Sequence, residues 1–315
     1  MPDYKTKLKG ALLAGAKKGW GNFLWICKII IPVSLLVALL QWSSWLYEAD
    51  VILKPLMGWL NLPSEAALPI ISGLVINLYA TMAAITVVPF TVGQMTLIAI
   101  FSLIAHNLII EGIIQHRSGV NVFTITLVRI SAAILTVLVV SQFIGDTSES
   151  IAGLAEITED SPIGEVLKEW TLDTLLLLAK VFAIIMFIMI VLESLMSLGW
   201  SEYLFDFSRP LMKLLGLSRR TAMLWVTAVI FGLMYGGAVI QDEVKRGDLT
   251  KTELRHLHVS IGINHSMVED PALFMALGLN GFWLWIPKLV MAAVVVHVFR
   301  AFEYLWGRTR RARDE

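Results

Sequence analysis

The chain has few charged residues and almost no cysteine, and both shortages limit what it can be. Only 16% of its 315 residues are charged, while 57% are hydrophobic and the mean hydropathy is +0.74. A soluble domain could not cover that much apolar surface, so the composition predicts an integral membrane protein. The single cysteine, Cys27, excludes an intrachain disulfide and any metal site built from several cysteines.

The sequence motifs of several soluble functions are also missing. No Gly-rich phosphate loop followed by Lys and Ser or Thr occurs, so the chain alone has no visible means of using a nucleotide as fuel. No Ser-His-Asp order, nucleophile elbow or zinc-protease motif occurs, and we expect no enzymatic activity. No basic, aromatic-interleaved surface suggests a nucleic-acid partner. No cofactor is evident, although H⁺ or Na⁺ could serve as a coupling ion.

The most informative feature that is present is an internal repeat, with a spacing of about 152 to 159 residues. Glu111 and Glu269 occupy matching positions in this alignment. The other matches, in chain order, are 54–62 with 209–217, 102–107 with 260–265, 119–123 with 278–282, and Arg129 with Lys288. A long repeat in a strongly apolar chain is typical of transporters, whose sites lie where the two halves meet.

Apolar runs divide the chain into membrane segments. There are eight of them, at 21–47, 66–92, 95–115, 121–144, 171–198, 221–240, 257–277 and 282–305. The runs at 66–92 and 221–240 contain prolines or glycines that break helices, and such backbone must be buried in protein or line a cavity. We therefore interpret these two runs as re-entrant hairpins, which leaves six crossings.

The charge distribution favours six crossings over eight. With six, all basic segments lie on the side of the two termini, and the acidic 145–170 connection lies on the other side. Eight crossings would move the arginines between 209 and 220 to the acidic side. By the positive-inside rule both termini are then cytoplasmic, in a bacterial inner membrane. The run at 21–47 is too long for a signal peptide and is predicted to stay as the first anchor.

Three crossings per repeat place the second copy upside down relative to the first. The predicted fold is an all-α integral membrane protein with two inverted repeats, each with three transmembrane helices, an interfacial helix and a re-entrant hairpin. The interfacial helices are assigned to 50–62 and 202–217, with ordinary short loops as the alternative. The predicted divisions are a basic cytoplasmic N-terminus at 1–20, repeat 1 at 21–144, an acidic external loop at 145–170, repeat 2 at 171–305, and a basic cytoplasmic tail at 306–315.

The order of elements and two segments resemble a known family. Residues 105–112 and residues 232–240 are similar to the signature of the nucleoside recognition, or Gate, domain family. That family includes the spore maturation membrane proteins, and its domain recurs in the bacterial ferrous-iron transporter and the concentrative nucleoside transporters. The resemblance covers about residues 20–305. It implies a substrate site between two hairpin tips and two unwound helices, carried by an elevator-like movement against a scaffold.

Polar residues inside two of the predicted crossings form the candidate site. A carboxylate at bilayer depth is costly, so it is expected to face a cavity or a partner. Gly112 and Pro271 favour unwinding of the helices beside their glutamates. The candidates for contact with a solute or ion are His106, Asn107 and Glu111 in repeat 1, Asn264, His265, Glu269 and Asp270 in repeat 2, and Asn77, Tyr235 and Gln241 at the hairpins.

Several alternatives stay open for these residues and for the whole chain. The glutamates could bind only the amides of broken helices, the histidines could hold the fold together, and together they could bind a divalent metal. The predicted function is a secondary, elevator-like transporter that moves a small polar or ionic solute through a midplane site. The alternative is a non-enzymatic assembly or permeation factor that acts with a partner protein. The expected partners are the lipid bilayer, the solute and further copies of the chain in a homo-oligomer.

Overall fold

Helices and the turns between them make up the parts of the chain that the structure describes. The computed structural model describes residues 4–43, 50–145, 161–247 and 249–314. The α-helices are α1 (Tyr4–Trp42), α2 (Asp50–Gly58), α3 (Ala67–Val75), α4 (Leu78–Ile85), α5 (Val92–Ile104), α6 (Leu108–Arg117), α7 (Val122–Val140), α8 (Ile163–Ser197), α9 (Ser201–Leu214), α10 (Ala222–Arg246), α11 (Lys251–Asn264), α12 (Glu269–Met275) and α13 (Gly281–Asp314). Short 3-10 helices precede α3 and α10. The predicted all-α class is confirmed.

Five helical segments of the described chain are long and apolar enough to cross a membrane. They are Tyr4–Trp42, Val92–Arg117, Val122–Val140, Ile163–Ser197 and Gly281–Leu305. The chain is therefore a multi-pass membrane protein. The sixth predicted crossing, 257–277, is divided between α11, with 14 residues, and α12, with 7. Each part is too short to span alone, so that crossing stays a prediction.

The ends of the predicted divisions differ from the sequence-based boundaries. The basic N-terminal segment is helical from Tyr4 and continues into the first crossing as α1. The helix α8 begins at Ile163, inside the predicted 145–170 connection, and residues 146–160 of that connection lie outside the described residues. Both predicted short helices, at 50–62 and 202–217, are present as α2 and α9.

The two segments interpreted as hairpins are both broken, in different ways. In the first, α3 and α4 pack against each other around a break at Asn77, whose side chain accepts a hydrogen bond from the Ala80 amide at 3.1 Å. A side chain on Gly73 would clash with Thr81. In the second, the helical backbone of α10 is interrupted at Gly232, which has φ of 78° and ψ of 168°. A positive φ of this size is readily adopted only by glycine.

The sequence repeat is also a repeat of backbone conformation. Left-handed backbone occurs at matching places in the two halves. The pairs are Asn61 (φ 56°) with Gly216 (φ 68°), Asn107 (φ 51°) with Ser266 (φ 49°), and Gly119 with Gly278 (both φ 87°). Glycine and asparagine adopt this conformation readily, whereas serine does so less often, so at Ser266 the position in the fold determines it. The two halves therefore share local structure as well as sequence.

The first crossings of the two halves, α1 and α8, lie against each other. Their contact is close because Gly15 leaves no side chain between the backbones: a Cβ at this position would lie 2.6 Å from the Ile190 Cα. At the cytoplasmic end predicted from the charge, Lys18 of α1 forms an ion pair with Glu193 of α8. Small residues that allow close approach are the usual means of packing helices in membranes.

Candidate functional site

Two helix breaks place the predicted polar residues in unwound backbone. The first break lies between α5 and α6, and the second between α11 and α12. The Asn107 amide in the first break donates to the Gly73 carbonyl at 2.8 Å, and the Met267 amide in the second donates to the Val229 carbonyl at 2.7 Å. The broken segments described above thus supply partners for backbone groups that the unwinding frees, as backbone inside a membrane requires.

A pair of buried histidines joins the two breaks. The Nε2 atoms of His106 and His265 lie 3.1 Å apart, and the side chains are 6% and 1% exposed. Each ring is fixed from behind in the same way: His106 Nδ1 lies 2.8 Å from the Ser102 carbonyl, and His265 Nδ1 lies 2.9 Å from the Ile261 carbonyl. Both rings therefore direct Nε2 toward the contact between the two halves.

Two carboxylates lie beside this histidine pair. Glu111, in the first turn of α6, places Oε1 3.1 Å from His265 Nε2 and 3.4 Å from His106 Nε2. Asp270, in the first turn of α12, places Oδ2 3.7 Å from His106 Nε2. Both side chains are buried, and Asp270 Oδ2 has no hydrogen-bond partner in the described structure.

Two buried cationic side chains donate hydrogen bonds to backbone carbonyls at the breaks. Arg129 of α7 donates to the carbonyls of Ile104 at 3.1 Å and His106 at 2.8 Å, and its Nη1 lies 2.7 Å from Glu111 Oε2. Lys288 of α13 donates to the His265 carbonyl at 3.1 Å. Each cation is 1% exposed. We call these six residues, His106, Glu111, Arg129, His265, Asp270 and Lys288, the polar centre.

The polar centre corrects the register of the sequence repeat by one residue. The sequence alignment matched Glu111 with Glu269. In the structure His106 corresponds to His265 and Arg129 to Lys288, because each pair makes the same kind of contact at a spacing of 159 residues. At that spacing Glu111 corresponds to Asp270. Glu269 lies beside the centre, where its Oε1 accepts a hydrogen bond from the Tyr79 hydroxyl at 2.6 Å.

The other predicted site residues lie outside the polar centre. Asn107 lies in the first break and Asn264 is the last residue of α11, and buried side-chain atoms of both lack hydrogen-bond partners in the described structure. Asn77 caps α4. Gln241 is partly buried on α10, and the side chain of Tyr235 lies outside the described part of the chain. The structure therefore brings together four of the ten predicted residues, with Glu269 next to them.

Sequence reasoning missed three residues of the site and its surroundings. Arg129 and Lys288 were matched in the repeat but not proposed as site residues. Their signal was a single basic residue inside an apolar run, which indicates a buried partner. Tyr79 had no comparable signal, because its partner Glu269 lies 190 positions away in the sequence.

The arrangement can bind a cation or a proton. Ligand atoms of His106, His265 and Asp270 lie within 4.8 Å of one another, and Glu111 Oε1 is close to both rings. Arg129 and Lys288 also bring positive charge to the site. Both donate to backbone carbonyls, and Arg129 also pairs with Glu111 Oε2, so Glu111 Oε1 is the carboxylate oxygen that faces the two histidine rings.

Comparison with known proteins relates the chain to a membrane protein of a bacterium. It is similar to the "Uncharacterized membrane protein YvoD" of Bacillus subtilis (strain 168), with 30% identity over an alignment of 311 residues and coverage of 96% of each chain. No protein-family model matches the chain, so the resemblance to the Gate domain family stays a prediction. No solved structure matches it significantly.

Proposed function

The chain belongs to the family of the Bacillus subtilis membrane protein YvoD, and from that premise we propose that it is a secondary transporter for a small polar or ionic solute. The observation that carries the proposal is the polar centre itself, in which both halves contribute buried charged side chains at matching helix breaks. Ionisable residues inside a membrane are costly and usually mark the path of a substrate or ion.

The proposed architecture is that of an inverted repeat with a re-entrant hairpin in each half. Its support is the set of equivalent contacts around His106 and His265 and the matching left-handed residues of the two halves. Transporters built in this way bind their solute near the bilayer midplane, at discontinuous helices between the repeats. We propose that the two breaks are these discontinuous helices and that an elevator-like movement exposes them to each side, with H⁺ or Na⁺ as coupling ion.

Unsatisfied polar atoms support transport over a purely structural role. Asp270 Oδ2 and both polar side-chain atoms of Asn264 are buried without hydrogen-bond partners in the described structure. Most buried polar groups are hydrogen-bonded, and those that are not require an explanation. A solute bound between the two halves would supply these missing partners.

A ligand screen on the purified protein tests the proposed function. We expect one class among metal ions, nucleosides and organic anions to raise the melting temperature in detergent, because ligand binding to the folded state stabilises it. The same ligand should accumulate in proteoliposomes that contain only this protein. If no solute stabilises the protein or enters the proteoliposomes, and activity requires a co-purifying protein, the transporter hypothesis is wrong. The alternative, an assembly or permeation factor that acts with a partner protein, then explains the data better.

The proposed orientation, with six crossings and cytoplasmic termini in a bacterial inner membrane, has a separate test. The variants Ser148→Cys and Thr309→Cys, each made in a Cys27→Ser background, would be treated with an impermeant thiol reagent in intact spheroplasts. Position 148 lies in the acidic connection, outside the described residues, and position 309 near the basic C-terminus. Labelling at 148 and not at 309 is expected from the positive-inside rule. The opposite pattern would exclude the six-crossing arrangement.

A further inference from the structure

We propose that the polar centre binds a divalent first-row transition-metal cation, such as Zn²⁺, through His106, His265, Asp270 and Glu111. This inference rests on the proposed function, since it names the class of solute that the same site would carry. The cation would be cargo that binds and leaves. Five features of the centre carry the inference: the histidine tautomers, the ligand spacing, the outer contacts, the donor type and the charge.

The backbone contacts of the two histidines determine which nitrogens are free. A carbonyl oxygen only accepts hydrogen bonds, so the Nδ1 atoms that face the Ser102 and Ile261 carbonyls must carry the proton. In a neutral ring the other nitrogen, Nε2, then holds a lone pair. The two Nε2 lone pairs face each other at 3.1 Å, which is repulsive unless a positive species lies between them.

The spacing of the potential ligand atoms fits a tetrahedral metal. Bonds of about 2.0–2.1 Å to histidine nitrogen and carboxylate oxygen place neighbouring ligands of a tetrahedron about 3.3 Å apart. The corresponding distances here are 3.1 Å between the two Nε2 atoms, 3.1 and 3.4 Å from them to Glu111 Oε1, and 3.7 Å from His106 Nε2 to Asp270 Oδ2. These four contacts are therefore close to the spacing that neighbouring ligands of a tetrahedral metal require, and the ligand atoms of His106, His265 and Asp270 all lie within 4.8 Å of one another.

The outer contacts of these residues are those of metal ligands. Histidines that bind metal almost always donate their second N–H to a carbonyl or carboxylate, which fixes the ring and its tautomer. Both histidines here donate to carbonyls. The other oxygen of Glu111, Oε2, forms an ion pair with Arg129 at 2.7 Å. Asp270 is 94% buried and its Oδ2 atom has no hydrogen-bond partner in the described structure, so this oxygen can bind a metal ion.

The donor set favours a transition metal over other cations. Imidazole nitrogen suits Zn²⁺ and its first-row neighbours, whereas Mg²⁺ and Ca²⁺ prefer oxygen ligands throughout. A proton shared by the two rings would relieve their repulsion but would leave Asp270 Oδ2 without a partner. A metal satisfies the rings and both carboxylates together.

The positive charges of Arg129 and Lys288 make the binding reversible. They belong to the centre, where both bind backbone carbonyls and Arg129 also pairs with Glu111, and their charges repel a divalent cation. A structural metal would not need this repulsion. A transported cation must bind well enough to enter and weakly enough to leave.

Titration of the purified full-length protein with Co²⁺ tests the site. Tetrahedral Co²⁺ has intense visible absorption, so binding can be followed directly, and Zn²⁺ should displace it. We expect His265→Gln and Asp270→Asn each to weaken Co²⁺ binding by about tenfold or more. The matched control is His258→Gln, because His258 is also fully buried on α11 but lies seven residues, about 10 Å along the helix, before His265. Melting curves without metal identify any variant that fails to fold.

The outcomes separate this inference from the proposed function. Equal Co²⁺ affinity in wild type, His265→Gln and Asp270→Asn would overturn the ligand set. Absence of Co²⁺ and Zn²⁺ binding, with stabilisation and uptake of a different solute, would overturn the metal inference and leave the transporter intact. Binding that depends on His265 and Asp270, without uptake of Zn²⁺ into proteoliposomes, would keep the metal site and exclude metal transport.

Discussion

Replacement of Arg129 by leucine is expected to lower the free energy of unfolding by about 3–5 kcal/mol, because removal of one partner leaves the other buried charge uncompensated. The guanidinium is 1% exposed and binds three groups, the carbonyls of Ile104 and His106 and the carboxylate of Glu111. Leucine fills part of the volume of the arginine side chain but cannot donate a hydrogen bond to any of these three groups. Two carbonyls at a helix break would then be buried without donors, in addition to the unpaired carboxylate.

Unfolding of the purified variants in detergent measures this effect, and three further variants separate its causes. Arg129→Lys should recover part of the loss, since one ammonium cannot reproduce the fork that reaches three acceptors. Lys288→Met should cost less than Arg129→Leu, because Lys288 makes one hydrogen bond in the equivalent place. Addition of Glu111→Gln to Arg129→Leu should restore the part of the stability that the unpaired carboxylate costs, while the two carbonyls stay without donors. If the double variant is as unstable as the sum of the two single variants, the ion pair does not explain the loss.

Much of the fold followed from the sequence because apolar composition and repeated segments are local properties. The all-α class and the two short helices needed only hydropathy and the repeat. Unwinding was expected beside Gly112 and Pro271, but both residues lie inside helices, and the breaks are at 105–107 and 265–268. The error of one residue in the register has a physical origin. Sequence alignment rewards identical residue types and paired Glu111 with Glu269, whereas the fold preserves backbone positions, such as the left-handed Asn107 and Ser266.

The site was predicted less completely because its chemistry depends on contacts between distant segments. The histidines were identified separately, but their approach to 3.1 Å joins residues 159 positions apart. Arg129 reaches the first break from α7 through side-chain geometry that no spacing rule describes. Likewise, whether Glu269 or Asp270 belongs to the polar centre depends on which face of α12 is directed toward the histidines.

Replacement of Glu269 by glutamine is expected to reduce transport by about tenfold to a hundredfold, the size of a lost contact to a charged group, with little change in melting temperature. The carboxylates of Glu111 and Asp270 balance the formal charges of Arg129 and Lys288 in the polar centre. Glu269 lies beside that balanced set and adds one negative charge, which can attract a cationic solute or a coupling ion. Glutamine removes the charge and keeps an oxygen that can accept the Tyr79 hydroxyl.

The matched control is Tyr79→Phe, which removes the hydrogen bond and keeps the charge. Tyr79 lies in the first turn of α4, just after the Asn77 cap, and its bond to Glu269 at 2.6 Å connects the broken segment of one half to the helix break of the other. The phenylalanine variant should retain more transport than Glu269→Gln and melt at a lower temperature, because the carboxylate loses a buried donor. Proteoliposome uptake and melting curves measured on both variants distinguish the two roles. Full transport by Glu269→Gln, combined with a melting temperature well below wild type, would show that this carboxylate only supports the fold.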